Sequence, residues 1–455
     1  MKKKIIVSLI FSSLIIFFGF WSIVSEGYDK QNKFILFLKE IIPSSLAKKV
    51  RDTVFIIPDL KERNKFLSIQ VEKYEQGYDG RLFNKQNISS KKNNEVYSLK
   101  EFFLPFPRLD TRLGWKATEN SKRAHYIEII GDKVFAVSGL GETIYFNLSN
   151  LNSEKLEQKK INNNIDNLLS NLNAELIGIR DLFYDNQFLY ISLQHKDKNG
   201  YTIGIYRAPV NYKRLEFEKF FSTNEYWDNY NVFSGGRLEK FSDNKIIFTI
   251  GFANKHKKSQ QKKSLLGKII SIDKETKDHK LISYGHRNPQ GLFYNSDFKI
   301  IMNTEHGPKG GDEVNFNFLD EDIPKNFGWP ISSYGEPYPS WVETFKKNGW
   351  MESSHKENGF IEPIKHFTPA IGISELFYLQ NKNDKKHNYL FVSSLRAGSI
   401  YILTLDETFK NVLDEDRLYF PNKRIRDLKY DMKNNQFLFL SEYTPSIAVL
   451  KKKIK

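Results

Sequence analysis

The sequence predicts an all-β fold, a six-bladed β-propeller, preceded by an N-terminal transmembrane helix and a short helical stalk. The main observation is a sixfold repeat that reads strand, Asx-type turn, strand, loop, strand. Most copies recur every roughly 50–57 residues, which is the length of a propeller blade. No helical pattern lies between the strand runs, so a parallel α/β fold is disfavoured. The second observation is an uncharged apolar stretch near the start of the chain.

The six copies keep the pattern to different degrees, and the first is the most degenerate. In order they contain HYIEIIGDKVFAVSG, LIGIRDLFYDNQFLYISLQHK, GGRLEKFSDNKIIFTIGFAN, NPQGLFYNSDFKIIMNTEHG, ISELFYLQNKNDKKHNYLFVSSLRAG and RIRDLKYDMKNNQFLFLSEY. The step from the fourth copy to the fifth is longer than the others. It carries NFGWPISSYGEPYPSWVETF, which we interpret as a long ordered loop over one face.

The N-terminus predicts a membrane anchor. Residues 5–24 contain no charge and follow Lys2, Lys3 and Lys4. About 20 apolar residues span a bilayer, and the lysines should stay cytoplasmic. We therefore expect residues 1–28 to be an uncleaved single-pass anchor in a bacterial inner membrane, with the propeller in the periplasm. A cleaved signal peptide is the alternative.

Residues 29–100 are expected to form a membrane-proximal helical stalk and linker, and residues 101–455 the propeller. The runs FILFLKEII and LAKKVRDTVFII are apolar at helical spacing. A coiled-coil oligomerisation segment is the alternative for this stalk, and the sequence leaves the oligomeric state open.

Composition excludes several classes of function. The net charge of +15 comes from lysines spread along the chain, so we expect no nucleic-acid partner. Background composition or attraction to anionic lipid accounts for the charge better. The chain has no cysteine, which excludes disulfides, thiolate metal sites and cysteine nucleophiles.

The candidate site lies where strands begin and end at one face of the propeller. An antiparallel hairpin brings the entry of a blade's first strand and the exit of its second to the same end. The entries supply Arg287, Asn288, Gln290, Arg424 and Arg426, and the exits supply His195, Asn254, Glu305, His306 and Arg396. Four arginines aimed at one point predict an anion, preferably a carboxylate or phosphate. Pairing with a neighbouring acid such as Asp427 or Glu305 is the alternative.

Two weaker features accompany this cluster. The glycine-rich GPKGGDE, residues 307–313, is either a simple turn or a set of exposed carbonyls that, with Asp312 or Glu313, holds Ca²⁺. The aromatic residues of 327–350 could stack on a planar ring or a sugar, or serve only in packing.

Several motifs together resemble a known family. YGHRNPQGLFY, TEHGPKGGDEVN, NFGWPISSYG, SSLRAGSIYILTLD and RIRDLKYD occur in this order. The chain from about residue 120 to 450 thereby resembles the soluble quinoprotein aldose sugar dehydrogenases, the glucose/sorbosone dehydrogenase family. That family has a six-bladed β-propeller and uses pyrroloquinoline quinone (PQQ), a planar quinone with three carboxylates.

The resemblance implies roles for individual residues. Arg287, the candidate catalytic residue, and Asn288 would meet the quinone, with Arg287 stabilising the oxygen that gains charge. Gln290 would brace the same loop, and the carbonyls of Gly307 and Pro308 would hold Ca²⁺. The remaining cofactor-binding residues implied by the motifs are Arg396, Arg424 and Arg426. The loop after Trp329 would stack on the cofactor.

One departure concerns the general base. The family has a histidine in a stretch resembling H-x-G-x-R-L, and here the stretch is FSGGRL with Phe233 at that position. Phenylalanine cannot accept a proton, which typically removes about 10²–10⁴ of rate. Asp228, His286 or His306 could substitute. A second altered segment, ELIGIRDLF, introduces Arg180 and Asp181, which could have remodelled the substrate pocket.

The resemblance therefore implies PQQ-dependent oxidation of an aldose-type sugar or related alcohol on the extracytoplasmic side of the membrane. The electrons would pass to an acceptor that the sequence does not identify. Because Phe233 replaces the base, the alternative is a non-catalytic propeller that binds a quinone, a glycan or a protein partner.

Overall fold

The computed structural model describes residues 80–106, 124–380 and 388–453. The predicted transmembrane helix and most of the predicted stalk, up to residue 79, lie outside these residues and stay predictions. Within the described ranges, no helix is long and apolar enough to cross a membrane. Residues 82–100, which the sequence assigned to the stalk and linker, belong to two paired strands and the turn between them. Propeller structure therefore begins before the expected boundary at residue 101.

The described residues contain 27 strands and two short α-helices, α1 (Ile165–Asn171) and α2 (Val342–Asn348). In chain order the strands are β1 (Leu82–Ser89), β2 (Val96–Phe103), β3 (His125–Ile130), β4 (Lys133–Ser138), β5 (Thr143–Asn147), β6 (Lys159–Asn163), β7 (Glu175–Asp185), β8 (Phe188–Asp197), β9 (Gly200–Pro209), β10 (Arg214–Leu215), β11 (Glu218–Ser222), β12 (Gly235–Ser242), β13 (Lys245–Ile250), β14 (Lys268–Asp273), β15 (His279–Tyr284), β16 (Pro289–Asn295), β17 (Ile300–Glu305), β18 (Asp312–Phe318), β19 (Lys325–Asn326), β20 (Lys365–Phe367), β21 (Ile373–Gln380), β22 (Asn388–Ser394), β23 (Ser399–Leu405), β24 (Val412–Tyr419), β25 (Ile425–Asp431), β26 (Gln436–Ser441) and β27 (Ser446–Lys452).

The strands form six sheets, one for each sequence copy, so the six-bladed propeller is confirmed. Blade one contains β3–β6 and β10, and blade two contains β7, β8, β9 and β11. Blade three contains β12–β15 and β19, blade four β16–β18 and β20, and blade five β21–β24. The innermost strands β3, β7, β12, β16, β21 and β25 pack against one another in that order and close a ring.

Blade six joins the two ends of the described chain. It contains β25, β26 and β27, followed by β2 and β1. β2 pairs antiparallel with β27, from Tyr97 opposite Lys452 to Phe103 opposite Ser446. This pairing covers an edge that β27 would otherwise expose, and it closes the ring with hydrogen bonds.

Apolar layers between neighbouring blades hold the ring together. One such layer joins blades one and two, and others join blades two and three, three and four, four and five, and six and one. Between blades five and six, the rings of Phe391 and Phe437 lie 4.3 Å apart. The second strand of a blade is covered on both faces, as β17 shows, because all of its residues are buried. The sequence of such a strand is therefore a continuous apolar run and does not alternate between apolar and polar residues.

Short turns set the registers within the blades. Asn186 and Gln187 join β7 to β8 and have φ values of 51° and 71°. Two consecutive left-handed residues match the twist of the flanking strands, as in type I′ hairpins, and asparagine tolerates this conformation. The Asx-type turns expected from the sequence therefore have a physical basis at this hairpin.

The long insertion lies within blade four, between β18 and β20, and it is ordered. It includes α2, and its Trp329 and Phe345 share an apolar cluster with Phe252, which follows β13 of blade three. The insertion thus covers the end of the propeller at which β16 begins.

Candidate functional site

The loop GHRNPQG leads into β16 at the end of the central channel, which we call the channel mouth. Gly285 has a φ of +75°, and a Cβ there would overlap with the Asn326 side chain. Glycine at this position lets the loop turn inward, so that His286, Arg287 and Asn288 are all buried. Asn288 Oδ1 accepts a hydrogen bond from Gly235 N at 3.2 Å. This bond ties the loop to blade three.

Arg287 is the central residue of the mouth. It is only 2 % exposed, and its Nη1 donates to His306 O at 2.6 Å. Its Nε and Nη2 are also buried, and neither has a hydrogen-bond partner in the described part of the chain. Burial lowers the pKa of this guanidinium, and Tyr338, Asp312 and Glu305 oppose the change. The Tyr338 phenol also interacts with this guanidinium, and because an unsatisfied buried donor costs about 1–3 kcal/mol, Nε and Nη2 favour a further acceptor.

Aromatic rings enclose the Arg287 guanidinium. The ring centroids lie 4.8 to 6.0 Å from its central carbon, and they belong to Phe233, Trp329, Phe252, Trp341 and Tyr338. Three of these rings come from the insertion, which the sequence suggested as a stacking surface. In the structure they pack around the arginine and contact one another at tilted or edge-on angles. The planar cation is held in one orientation by this packing.

A buried chain of hydrogen bonds fixes the backbone under Arg287. Ser283 Oγ lies 2.8 Å from His286 Nε2, and His286 Nδ1 lies 2.9 Å from Glu305 Oε2. The second oxygen of Glu305 accepts from the backbone N of Arg287. His286 is fully buried, and both of its ring nitrogens are engaged by these two contacts.

Arg424 and Arg426 share one buried carboxylate. Arg424 Nε and Arg426 Nε donate to the two oxygens of Glu442 at 2.9 and 2.6 Å. Gln290 Oε1 accepts from Arg426 Nη1 at 2.9 Å, which joins the GHRNPQG loop to blade six. Acid pairing, the alternative interpretation of the arginines, therefore holds for these two. The acid is Glu442, which the sequence reasoning did not single out.

The structure separates Arg396 from this group. Its side chain is exposed, and in the described ranges it makes no hydrogen bond or ion pair. Only its backbone N is engaged, by Ile371 O at 3.0 Å. His195 is buried against Tyr206, and Asn254 is exposed, so neither joins the arginines.

The candidate calcium loop, GPKGGDE at residues 307–313, is a tight turn at the channel mouth. Gly307 N donates to Asp312 Oδ1 at 3.0 Å, and Ile373 N donates to Asp312 Oδ2 at 3.0 Å. Burial raises the pKa of Asp312 to about 6. The carbonyls of Gly307 and Pro308 accept no hydrogen bond from the described residues. No group of three acidic or histidine side chains that could hold a metal occurs within them.

Phe233 occupies the position at which the family resemblance implies a histidine base. The residues suggested as substitutes for that base differ in their exposure and contacts. Asp228 has a side chain that is 82 % exposed and pairs with Lys255 at 2.8 Å. The His306 side chain is 21 % exposed, with Nδ1 3.8 Å from Asp312 Oδ1. Burial, together with the nearby charges of Arg287 and Arg426, lowers the pKa of His306 to about 3. His306 is therefore a neutral imidazole beside Arg287.

Below the mouth lies a charge cluster that the sequence reasoning missed. Arg237 Nη1 lies 2.8 Å from Asp181, 3.0 Å from Glu375 and 3.0 Å from Asp427. These residues lie on four different innermost strands, so the cluster ties four blades together. Asp181 is thus a buried member of this cluster. The sequence signal was a charged residue at the third position of β12, β21 and β25, and one in the middle of β7.

Comparisons with known proteins agree with the fold. The family model described as Glucose / Sorbosone dehydrogenase matches residues 152–447. An uncharacterized protein, slr1608, of Synechocystis sp. is 26% identical over 56% of this chain and 64% of its own length. The aldose sugar dehydrogenase YliI of Escherichia coli is 25% identical over 43% and 53%. Quinoprotein glucose dehydrogenase B of Acinetobacter calcoaceticus is 26% identical over 42% and 55%. The chain thus spans less than two thirds of the length of these relatives.

Solved structures give the same architecture. A glucose dehydrogenase superimposes with a TM-score of 0.58 at 18% identity, covering 73% of this chain and 98% of that chain. The PQQ-bound form of an aldose sugar dehydrogenase from Streptomyces coelicolor gives 0.52 at 16% identity, covering 72% and 93%. At these identities the likeness supports the propeller fold alone.

Proposed function

The chain belongs to the glucose/sorbosone dehydrogenase family, and from this premise we propose that it binds PQQ and oxidises an aldose-type sugar or related alcohol. The observation that carries the proposal is Arg287, a buried cation with two donors that lack partners. A quinone oxygen is an acceptor that would satisfy them. A preorganised cation of this kind stabilises negative charge that develops on an acceptor.

The charges at the channel mouth suit an anionic ligand. Arg424 and Arg426 keep one net positive charge after sharing Glu442. Arg287 adds a second positive charge at the mouth, and these charges suit the carboxylates of PQQ. Guanidinium groups bind carboxylates through paired hydrogen bonds. Asn288 and Gln290 are already bound to blades three and six, and they would position Arg287 for the ligand.

For Ca²⁺ the protein supplies few ligands. The free carbonyls of Gly307 and Pro308 are the proposed donors, and both Asp312 oxygens are occupied by backbone N–H groups. Calcium takes six to eight oxygens, so the ion would need water and cofactor oxygens as well. We therefore propose that the ion and PQQ bind together.

When bound, PQQ would supply a quinone that accepts the hydride of the substrate. The residues of this chain would bind and orient it and exclude water, because aromatic rings surround Arg287. Proton acceptance is the weak step. Phe233 cannot take a proton, and the depressed pKa of His306 makes that imidazole a poor base. We expect slow turnover by this chain.

A non-catalytic binding propeller is the second candidate function. It is favoured by Phe233, whose ring packs on the Arg287 guanidinium at 4.8 Å. In this case the chain keeps the anion-binding residues and binds a quinone, glycan or protein without oxidising it.

The location of the propeller is also a proposal. Lys2 to Lys4 and the uncharged residues 5–24 support an inner-membrane anchor with the propeller on the extracytoplasmic side. Protease treatment of spheroplasts tests this, since the propeller should be digested without lysis. Protection of the propeller until lysis would contradict it.

Reconstitution of the purified full-length chain tests the proposed function. PQQ would be titrated with and without Ca²⁺, and dye reduction would be followed over a panel of aldoses and alcohols. Arg287→Gln should weaken PQQ binding about 10–100-fold, because a charge-assisted hydrogen bond is lost. Arg214→Gln, which removes an exposed arginine paired with Glu216, is the matched control.

The outcomes separate the two candidates. PQQ binding with dye reduction by at least one sugar supports the dehydrogenase. PQQ binding without reduction of the dye by any sugar supports the non-catalytic propeller. Absence of PQQ binding by the unmodified chain rules out the cofactor assignment.

A further inference from the structure

A lysine-rich loop lies beside the channel mouth, between β13 and β14 of blade three. Residues 254–263, NKHKKSQQKK, contain five lysines and no acidic residue. Lys255 pairs with Asp228 at 2.8 Å, and the proposed function does not involve this pair. Lys258 pairs with Glu225 at 2.9 Å. The lysines of the loop that are exposed and form no ion pair with the described residues are Lys257, Lys262 and Lys263.

A buried lysine holds this loop in place. The side chain of Lys268 is fully buried, and its Nζ donates to Lys258 O and Ser259 O, both at 2.9 Å. Burial of an ammonium group is costly unless its donors are satisfied, so these bonds favour one backbone conformation of the loop. Gln260 Nε2 donates to Trp329 O at 2.7 Å, which joins the loop to the insertion. The exposed lysines are therefore presented on a fixed backbone.

Helix α2 of the insertion brings further lysines to the same place. The rings of His256 and Phe345 lie 4.9 Å apart, so the loop packs against α2. Lys346 and Lys347 follow Phe345; both are exposed, and neither forms an ion pair with the described residues. The loop and α2 carry seven lysines, and three carboxylates oppose them, which leaves a net charge of +4. The carboxylates are those of Asp228, Glu225 and Glu343. We call residues 254–263 and α2 the lysine surface.

One layer of aromatic rings separates the lysine surface from Arg287. The ring centroids of Phe252 and Trp341 lie 5.5 and 5.7 Å from the central carbon of the guanidinium. The His256 ring lies 4.9 Å from the first of these rings and 4.7 Å from the second. Lys257 follows His256 directly in the chain. Because electron transfer slows steeply with distance, a redox partner bound here would be favourably placed for exchange with a cofactor at Arg287.

We propose that the lysine surface is the docking site of an acidic redox protein that accepts electrons from the channel mouth. The inference rests on the proposed function and names the class of its electron acceptor. Oxidation of one alcohol to a carbonyl compound yields two electrons and two protons. Two molecules of a one-electron acceptor each take one electron, and the protons pass to solvent. Complementary charge steers such an encounter and sets its orientation.

The position of the lysine surface favours this partner over an anionic lipid surface. Lipid headgroups would bind lysines anywhere on the propeller, whereas an electron acceptor has to approach the cofactor. The lysine surface lies at the channel mouth, one ring layer from Arg287. Vesicles of anionic lipid are therefore included in the test as the competing ligand.

The test reverses charges on the full-length chain. The mouth variant combines Lys257→Glu, Lys346→Glu and Lys347→Glu. The far variant, its matched control, combines Lys245→Glu, Lys299→Glu and Lys433→Glu. These control lysines are exposed, at or beside the turns between first and second strands. Such turns lie at the end of the propeller opposite the mouth, so the two variants differ in where the charge changes and not in net charge.

Binding is measured first, on the chain without cofactor. Plastocyanin, an acidic copper protein, is the probe, and mitochondrial cytochrome c, a basic haem protein, is its counterpart; each accepts one electron. At low salt the mouth variant should lose about 10–100-fold in the association rate constant for plastocyanin, and the difference should shrink at high salt. The far variant should bind plastocyanin like the unmodified chain, and cytochrome c should bind more weakly than plastocyanin.

Electron transfer is measured second, on the chain loaded with chemically reduced PQQ, so that the result does not depend on sugar oxidation. Reduction of plastocyanin by the mouth variant should be slower by the same factor, and the far variant should match the unmodified chain. If the mouth variant does not fold, the double variant Lys346→Gln with Lys347→Gln decides, with an expected loss of about 3–10-fold in both measurements.

Several outcomes overturn the proposal. They are absence of plastocyanin binding, cytochrome c binding that is as tight, and equal losses in the mouth and far variants. Binding of phosphatidylglycerol vesicles but not of plastocyanin, lost in the mouth variant, assigns the surface to lipid and also overturns it. An unchanged rate of plastocyanin reduction in the mouth variant refutes the electron-transfer role. A chain that binds plastocyanin through this surface but binds no PQQ refutes the proposed function and upholds the docking surface.

Discussion

Phe233→His restores a proton acceptor at the one position where the site departs most from the family. The Phe233 ring lies 4.8 Å from the Arg287 guanidinium and 5.3 Å from the Phe252 ring. Imidazole is smaller than phenyl, so it fits the space but keeps less of this packing. Each lost contact contributes about 0.5–1.5 kcal/mol. We expect the free energy of unfolding to fall by about 1–3 kcal/mol in total.

The new imidazole would face a cation. Two charges 4.8 Å apart repel by about 3 kcal/mol at an effective dielectric constant near 20. The repulsion disfavours the protonated ring, so its pKa falls well below the ordinary value of about 6.5. The histidine would be neutral at pH 7 but a weaker base than usual. We therefore expect a gain in kcat near the lower end of the range for general bases, about 10²-fold.

The assay is dye reduction by the PQQ- and Ca²⁺-loaded full-length chain, measured as kcat and KM between pH 5 and 9. Phe233→Leu is the matched control, because it loses the ring contacts without gaining a base. The gain should appear only in Phe233→His. It should persist across this pH range, because the imidazole with its lowered pKa becomes protonated only at more acidic pH.

Two results would refute this reasoning. If Phe233→His binds PQQ as tightly as the unmodified chain but shows no gain in kcat, the missing base is not what limits turnover. If Phe233→Leu shows the same gain, relief of packing on Arg287 explains it, and proton transfer does not.

Two further predictions concern buried carboxylates. Glu442→Gln leaves Arg424 and Arg426 without the carboxylate that they share, so it should lower the free energy of unfolding by about 3–5 kcal/mol. It should also enlarge the rise in Tm caused by PQQ. A variant with unchanged stability, or with weaker PQQ binding, would contradict this prediction. Burial raises the pKa of Glu375 to about 8 from 4.5, so the folded state holds its proton more strongly and stability should decrease as pH rises from 6 to 9. Denaturant unfolding across this range should show a shallower decrease in Glu375→Gln, and an equal slope in both proteins would exclude Glu375 as the cause.

Local sequence was sufficient for the blades because a strand–turn–strand unit is specified by its own residues. The hairpin at Asn186 and Gln187 illustrates this, since turn chemistry and the flanking apolar runs are adjacent in the chain. β1 and β2 were not identified, because VYSLKEFF is a strand through its pairing with β27, more than 300 residues away. Strand propensity depends on such neighbours more than helix propensity does.

The arginines, like the strands, could be predicted from the sequence only in part. The GHRNPQG loop and the start of copy six identified Arg287 and Arg426, because their repeat positions place them at one end of the channel. Glu442 was not identified as their neighbour. The buried cluster in which Asp181 and Asp427 share Arg237 likewise becomes evident only in the structure.

The sequence by itself determined the repeat, the number of blades, the family and the loop that carries Arg287. Each of these depends on residues that are close in the chain or recur at a fixed spacing. Tertiary structure alone decided which charges meet: Glu442 neutralises one arginine of a pair, and aromatic rings from an insertion enclose Arg287. The physical reason is that Coulomb and packing energies depend on distances in space, and closing the ring brings together side chains from blades that are far apart in sequence.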